Sequence, residues 1–231
     1  MLNKIYNRLF TNFGPQGWWP YTLDGKLHPT HHGRKPVTEK HRLEIMLSAI
    51  LTQNTNWKNA EKAIFNLNKE KLISIEKIRR INEKKLAALI RPSGYFNQKA
   101  VKLKTLADFL TKNPIRALSK EKYIKLLRKN LLAIKGVGPE TADSILLYAL
   151  EKPVFVIDAY TKRIFSRIGY KESTYDELQE LFMKELPQNV PLFKEYHALL
   201  VELAKRNCRK TPICETCPLL KVCAYGKSNK G

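Results

Sequence analysis

Acidic residues are in short supply: 21 Asp and Glu stand against 42 Lys and Arg, a formal charge of +21. Such an imbalance excludes a neutral surface and asks for a polyanionic partner, of which nucleic acid is the commonest. A chain that is merely lysine-rich is the plainer reading. No apolar run approaches the roughly 20 residues of a membrane-spanning helix, so no membrane partner is expected. The opening MLNKIYNRLFTNF is amphipathic and interrupted by polar residues, unlike a secretory signal. An intracellular, cytoplasmic protein is therefore expected. Cysteine is confined to Cys208, Cys214, Cys217 and Cys223. In a reducing compartment these are ligands rather than disulfide partners. Their C-x5-C-x2-C-x5-C spacing gathers four thiolates in one loop, which suits tetrahedral zinc or an iron–sulfur cluster.

Strand patterns are equally rare. Residues 153–160, PVFVIDAY, are β-branched but too short and isolated for a sheet, and read as an extended connector. Hydrophobic residues make up 43% of the chain, enough for a packed core rather than disorder. From Glu39 to Leu150 the apolar spacing is helical throughout. RLEIMLSAILTQ is apolar nearly all round and predicts a buried helix; Ser74 and Asn82 are placed as N-caps. Further helices are expected over about 160–168, after a Thr174/Glu177 capping box, and over about 192–206. The fold class is all-α. The long loop before Glu39 carries Trp18, Trp19 and Pro20, which argue for order and function rather than disorder.

The segment Leu131–Leu150, LLAIKGVGPETADSILLYAL, joins two apolar helices through a turn of two glycines and a proline. Gly136 and Gly138 permit torsions closed to other residues, and Pro139 suits a first helical turn. Backbone N–H groups at Lys135, Gly136, Val137, Gly138 and Thr141 are thereby offered to an anion such as a DNA phosphate, with no base edge read. An ordinary helical corner also favours glycine. The small residues of the helix after this turn set it apart from such a corner.

IKGVGPETADSILLYAL followed by VFVIDAYTKRIFSRIG resembles the helix-hairpin-helix, Gly/Pro…Asp motif of the endonuclease III superfamily of DNA glycosylases. EIMLSAILTQNTNWKNAEKA, IRPSGYFNQKA and the C-terminal cysteines resemble that superfamily in the same order, from about Lys40 to Cys223. The resemblance implies two helical lobes with a DNA cleft between them, one over residues 39–151 and one over 1–38 plus 152–231. It implies double-stranded DNA holding a damaged base as partner, a monomer, and a nucleoid-associated location. It also implies that the four cysteines hold a 4Fe–4S cluster rather than zinc, although the first spacing is one residue shorter than the family's.

The resemblance places the catalytic aspartate at Asp158. An ionised carboxylate there would stabilise the oxocarbenium-like sugar formed as an N-glycosidic bond breaks, and could orient or deprotonate a water. A plain N-cap is the alternative. Bifunctional members carry a lysine in the pattern G-V-G-x-K-T-A; here the sequence is G-V-G-P-E-T-A, with Glu140 at that position. A carboxylate cannot form the imine, so base removal without strand cleavage is expected. GWWP and LTQNTNW resemble most the 3-methyladenine branch. By that resemblance Trp18, Trp19, Pro20, Trp57 and Glu140 border a flipped base, and aromatic faces suit a cationic alkylated purine. A hydrophobic plug is the alternative for the two tryptophans. Gln53 is placed at the gap left by the flipped nucleotide, and Tyr95 and Phe96 at the intercalating wedge. Another lesion (mismatched thymine or uracil, an oxidised pyrimidine, hypoxanthine), a bifunctional lyase, or a non-catalytic DNA-binding module are the competing functions.

Overall fold

The computed structural model describes residues 1–228. It is built from helices, and among the described residues β-pairing is limited to one isolated bridge, Tyr21 to Thr30. Helix α1 (Leu2–Phe13) is followed by the long loop, then by α2 (Glu39–Leu51), α3 (Trp57–Lys69), α4 (Ile75–Arg80) and α5 (Glu83–Leu89). A single 3-10 turn, Arg91–Ser93, leads into α6 (Phe96–Lys112), α7 (Ile115–Lys120), α8 (Ile124–Leu132) and α9 (Pro139–Ser144). After an extended stretch come α10 (Ala159–Ile168), α11 (Tyr175–Glu185), α12 (Val190–Arg206) and the short α13 (Ala224–Ser228). No helix among the described residues is long and apolar enough to cross a membrane.

The chain divides into two compact units, Trp19–Lys152 and Met1–Trp18 with Pro153–Gly231. The division drawn from the sequence at residue 39 thus lies between Trp18 and Trp19 in the structure. Residues 19–38 go with the first unit for a visible reason. Glu44 of α2, 1% exposed, accepts from the backbone N–H of Thr22 at 2.7 Å and from its hydroxyl at 2.8 Å. Asn68 of α3 donates to the same hydroxyl at 2.8 Å. Burial pushes the Glu44 carboxyl up, and these bonds oppose it. A buried carboxylate needs such partners, and they pin the loop onto two helices.

Capping is local and follows the sequence. Ser74 accepts from Lys77 N–H, Asn82 from Lys84 and Lys85, and Thr174 with Glu177 closes a full capping box. In the first unit α2 is the central helix: every residue from Leu43 to Leu51 is buried, as its all-round apolar pattern requires. In the second unit α1 packs on α12, with the Tyr196 hydroxyl donating to the Leu2 carbonyl at 3.0 Å. Phe155, Phe165, Phe182 and Tyr196 form its aromatic core. Phe155 in the extended stretch stacks on Phe182 at 3.8 Å between ring centroids and so fixes the backbone leading to Asp158.

Candidate active site

The turn between α8 and α9 holds Gly136 at φ +89°, a region that favours glycine. A Cβ at Gly136 would also lie 2.7 Å from the side chain of Lys102, which crosses the turn. Pro139 opens α9, and no side chain caps that helix. The exposed glycines and Lys135 therefore border uncapped helix N–H groups, the arrangement an anion needs. Val137 is buried and anchors the turn. Behind it Asp143, fully buried, takes a bidentate pair of bonds from Arg128 of α8 at 2.8 and 3.0 Å. This pair clamps the hairpin's two helices together. Helix α9 then passes into a π-helical turn, Ile145–Ala149, entirely buried. Arg42 of α2 donates to the Ala149 carbonyl at its end.

Gln53 is joined to this hairpin. Its amide donates to the Gly136 carbonyl at 3.1 Å and to the Thr141 hydroxyl at 2.9 Å, while Lys102 donates to its carbonyl oxygen at 2.6 Å. The side chain that the resemblance assigns to the gap in DNA is thus tied to the phosphate-type turn. Tyr95 sits next to Gly94 at φ +47°, and is 64% exposed, whereas Phe96 begins α6 half-buried. Of the two wedge candidates, Tyr95 is the one that projects.

One residue near these loops escaped the sequence reading. Lys99 is 1% exposed, and its Nζ donates to the Leu51 carbonyl at 2.8 Å and the Ser93 carbonyl at 2.7 Å. It ties the end of α2, just before Gln53, to the turn that carries Tyr95. Burial, with a smaller contribution from Lys102, pulls its pKa down to about 8.

Trp19 and Trp57 come together at 6.0 Å between rings, nearly perpendicular. Trp19 also packs on Tyr148 of the π turn at 5.1 Å, and its indole N–H donates to the Ser48 hydroxyl at 2.7 Å. Trp19 and Pro20 are buried, so Trp19 serves as a fixed wall, while Trp57 is half-buried. Trp18 belongs to the other unit, where Lys205 lies over its ring at 5.7 Å. Glu140 is exposed in the first turn of α9, a favourable place for an acid.

Asp158 is the N-cap of α10: its Oδ1 accepts from the Thr161 N–H at 2.6 Å and the Thr161 hydroxyl at 2.8 Å. Its Oδ2 faces His197 Nε2 at 3.7 Å. Burial pushes this carboxyl up, but His197 and the Thr161 donors outweigh it and hold the pKa below the ordinary range. A buried aspartate kept ionised in this way is equipped to stabilise positive charge.

Residues 47–188 match the family model for HhH-GPD superfamily base excision DNA repair proteins. The chain belongs to that superfamily. Over 228 residues it is 45% identical to a Methanocaldococcus jannaschii protein described as a DNA repair glycosylase, with 96% of each chain covered. A solved H. pylori 3-methyladenine DNA glycosylase bound to 1,N6-ethenoadenine is 30% identical, with a TM-score of 0.72 over 88% of this chain and 97% of that one. An endonuclease III trapped in a covalent intermediate with DNA shares the fold at a TM-score of 0.76 and 20% identity, over 99% of this chain and 98% of that one. As an HhH-GPD protein the chain is a DNA glycosylase of base excision repair, and its Asp158 follows the hairpin as the superfamily's motif requires.

The HhH-GPD relationship directs attention to the cysteine loop. Among the described residues no group of three or more His, Cys, Asp or Glu side chains converges on one metal-ion position. The thiols are nonetheless close enough to act on one another. Burial, then the neighbouring thiols, pushes Cys217 up to about 11, and Cys214 is raised for the same two reasons. Arg167 of α10 lies 3.3 Å from Cys208 Sγ and donates to the Arg209 and Lys210 carbonyls. Gly226 N–H points at Cys223 Sγ from 3.4 Å. A cationic and an N–H donor directed at sulfur suit thiolates better than thiols.

Proposed function

We propose that the protein is a monofunctional glycosylase that hydrolyses the N-glycosidic bond of alkylated purines, 3-methyladenine above all, in double-stranded DNA. The observation that carries this reading is the buried Asp158, ionised and with one oxygen left over from its capping role. Its low pKa favours electrostatic stabilisation of the sugar cation over proton abstraction, for which a pKa near the working pH is better. An N3-alkylated adenine is cationic in DNA. When its glycosidic bond breaks, the electron pair returns to the ring and neutralises it, so the base leaves without a proton from the enzyme. Water then adds at the sugar carbon and loses a proton. The right-angled pair of Trp19 and Trp57 supports the substrate reading, since aromatic faces attract a cationic ring. So does the 30% identity to a 3-methyladenine glycosylase. Glu140, at the position of the lyase lysine, supports the absence of an imine.

Methylated duplex DNA should release free 3-methyladenine on incubation with the protein. Strands should break only after hot alkali, and borohydride should trap no covalent complex. Breaks without alkali would overturn the monofunctional reading. Release from thymine-mismatch, oxidised-pyrimidine or hypoxanthine duplexes but not from methylated DNA would overturn the substrate.

Cys208, Cys214, Cys217 and Cys223 are assigned to a 4Fe–4S cluster, which holds the loop carrying Arg209, Lys210 and Lys221 in one conformation. Iron and acid-labile sulfide should accompany the protein through purification, with visible absorbance that bleaches on reduction. Zinc in place of iron would reverse that assignment.

A further inference from the structure

The two oxygens of Asp158 have separate duties. Both bonds from Thr161 end on Oδ1 and complete the cap of α10. Two bonds to one oxygen hold a point, and the carboxylate can still turn about its Cβ–Cγ bond. A second point of attachment is needed to hold its plane. Oδ2 meets Nε2 of His197 at 3.7 Å. His197 sits in the middle of α12, 6% exposed, among buried Tyr196, Ala198, Leu199 and Leu200. An imidazole in that apolar stripe costs free energy unless its polar atoms are used, and an aliphatic residue would pack there at less cost.

We infer that His197 is a positioning residue for base excision, its Nε2–H fixing the plane of the Asp158 carboxylate so that Oδ2 faces the developing sugar cation. The inference rests on Asp158 being the catalytic carboxylate. The 3.7 Å separation is longer than a hydrogen bond. Oδ2 is therefore steered without being saturated, and the contact can shorten as charge develops; such bonds commonly tighten only in the reacting complex. Thr161 cannot perform this task, because its hydroxyl and N–H are both spent on Oδ1. Among the described residues the groups acting on the Asp158 carboxyl are His197, which titrates, and Thr161, which does not. With His197 gone, burial is opposed by Thr161 alone, so the carboxyl should protonate at a higher pH.

The test compares full-length wild type, His197→Ala and His197→Gln in single-turnover base release from about pH 4 to about 8, the carboxylate and imidazole ranges. The substrate is methylated duplex DNA, or whichever lesion duplex the wild type processes. His197→Ala should lower the rate about 10- to 100-fold, the scale of a misplaced reacting group, with DNA affinity unchanged. The acid limb of its profile should move to higher pH. His197→Gln keeps a donor of similar reach and should recover most of the rate at neutral pH. Wild-type rates and an unshifted acid limb in both variants would overturn the inference. So would an equal loss in both with an unshifted limb, the mark of a packing role. If His197→Ala does not fold, His197→Gln decides: near-wild-type rates with a shifted acid limb support the inference, and any other result overturns it. Asp158→Asn separates the two levels. If it retains excision, the assignment of the carboxylate itself fails. If it is inactive while both His197 variants behave as wild type, only the role of His197 falls.

Discussion

Asp158→Asn lowers base release by on the order of 10²- to 10³-fold, the scale seen when one preorganised electrostatic contact is removed from a transition state, and leaves folding and DNA affinity intact. The substitution is unusually clean here. Asn is as good an N-cap as Asp, so the amide oxygen can take over the Thr161 N–H and hydroxyl bonds now made by Oδ1. What is lost is the negative charge on the second oxygen. Asp158→Ala removes cap and charge together and is the poorer experiment, because it adds about 1 kcal/mol of helix destabilisation. Single-turnover release measured beside a gel-shift affinity and a melting curve separates the terms. Excision by the Asn variant within a few-fold of wild type would remove Asp158 from the chemistry.

Lys99→Met lowers the melting temperature by roughly 5–20 °C. Its Nζ satisfies two carbonyls, Leu51 and Ser93, in a place closed to water. Leaving a buried acceptor without its partner costs about 1–3 kcal/mol each, and 1 kcal/mol is worth roughly 2–4 °C in a chain of this size. Methionine keeps the aliphatic bulk, so the loss reports on the polar contacts. The titration of this lysine has a definite sign. Its folded pKa of about 8 is below the ordinary 10.5, so between those values the unfolded chain binds more protons than the folded one. The contribution of Lys99 to stability therefore rises with pH across that window, as the penalty of burying its charge disappears. The stability difference between wild type and Lys99→Met, measured by denaturant titration, should widen from about pH 8 to 10.5. A difference that stays flat would show that the amine is not desolvated as the structure has it.

Local chemistry was legible in the sequence where one stretch of chain carries the whole interaction. The caps at Ser74, Asn82 and Thr174 and the all-round burial of α2 follow from residues within a turn or two of one another. So did the hairpin glycines and the place of Asp158 after them. What the sequence concealed depends on partners far along the chain. Glu44 reads as one surface acid in a helix, because Thr22 and Asn68 are brought to it only by folding. Lys99 is one lysine among many, and nothing in its neighbours announces two buried carbonyls. His197 interrupts an apolar stripe, which is a visible signal, but an isolated buried histidine is more often a core residue than a functional one. Only the contact to Asp158 distinguishes it. The same limit displaced the boundary from residue 39 to residue 19: Trp19 declares its allegiance through Ser48 and Tyr148 rather than through its sequence neighbours.

The π turn at Ile145–Ala149 carries a bookkeeping of residues as well as of shape. It bridges Leu150 N–H to the Ile145 carbonyl, so it houses one residue more than an α-helical turn would. Each residue of a regular helix advances the side chains by about 100°. A relative that lacks the surplus residue would turn everything downstream by that angle, and the position equivalent to Tyr148 would no longer back Trp19. In this chain, then, the aromatic wall and the hairpin are in phase only because of a one-residue insertion, and a deletion of one residue there would leave the composition almost untouched while rotating the wall out of register.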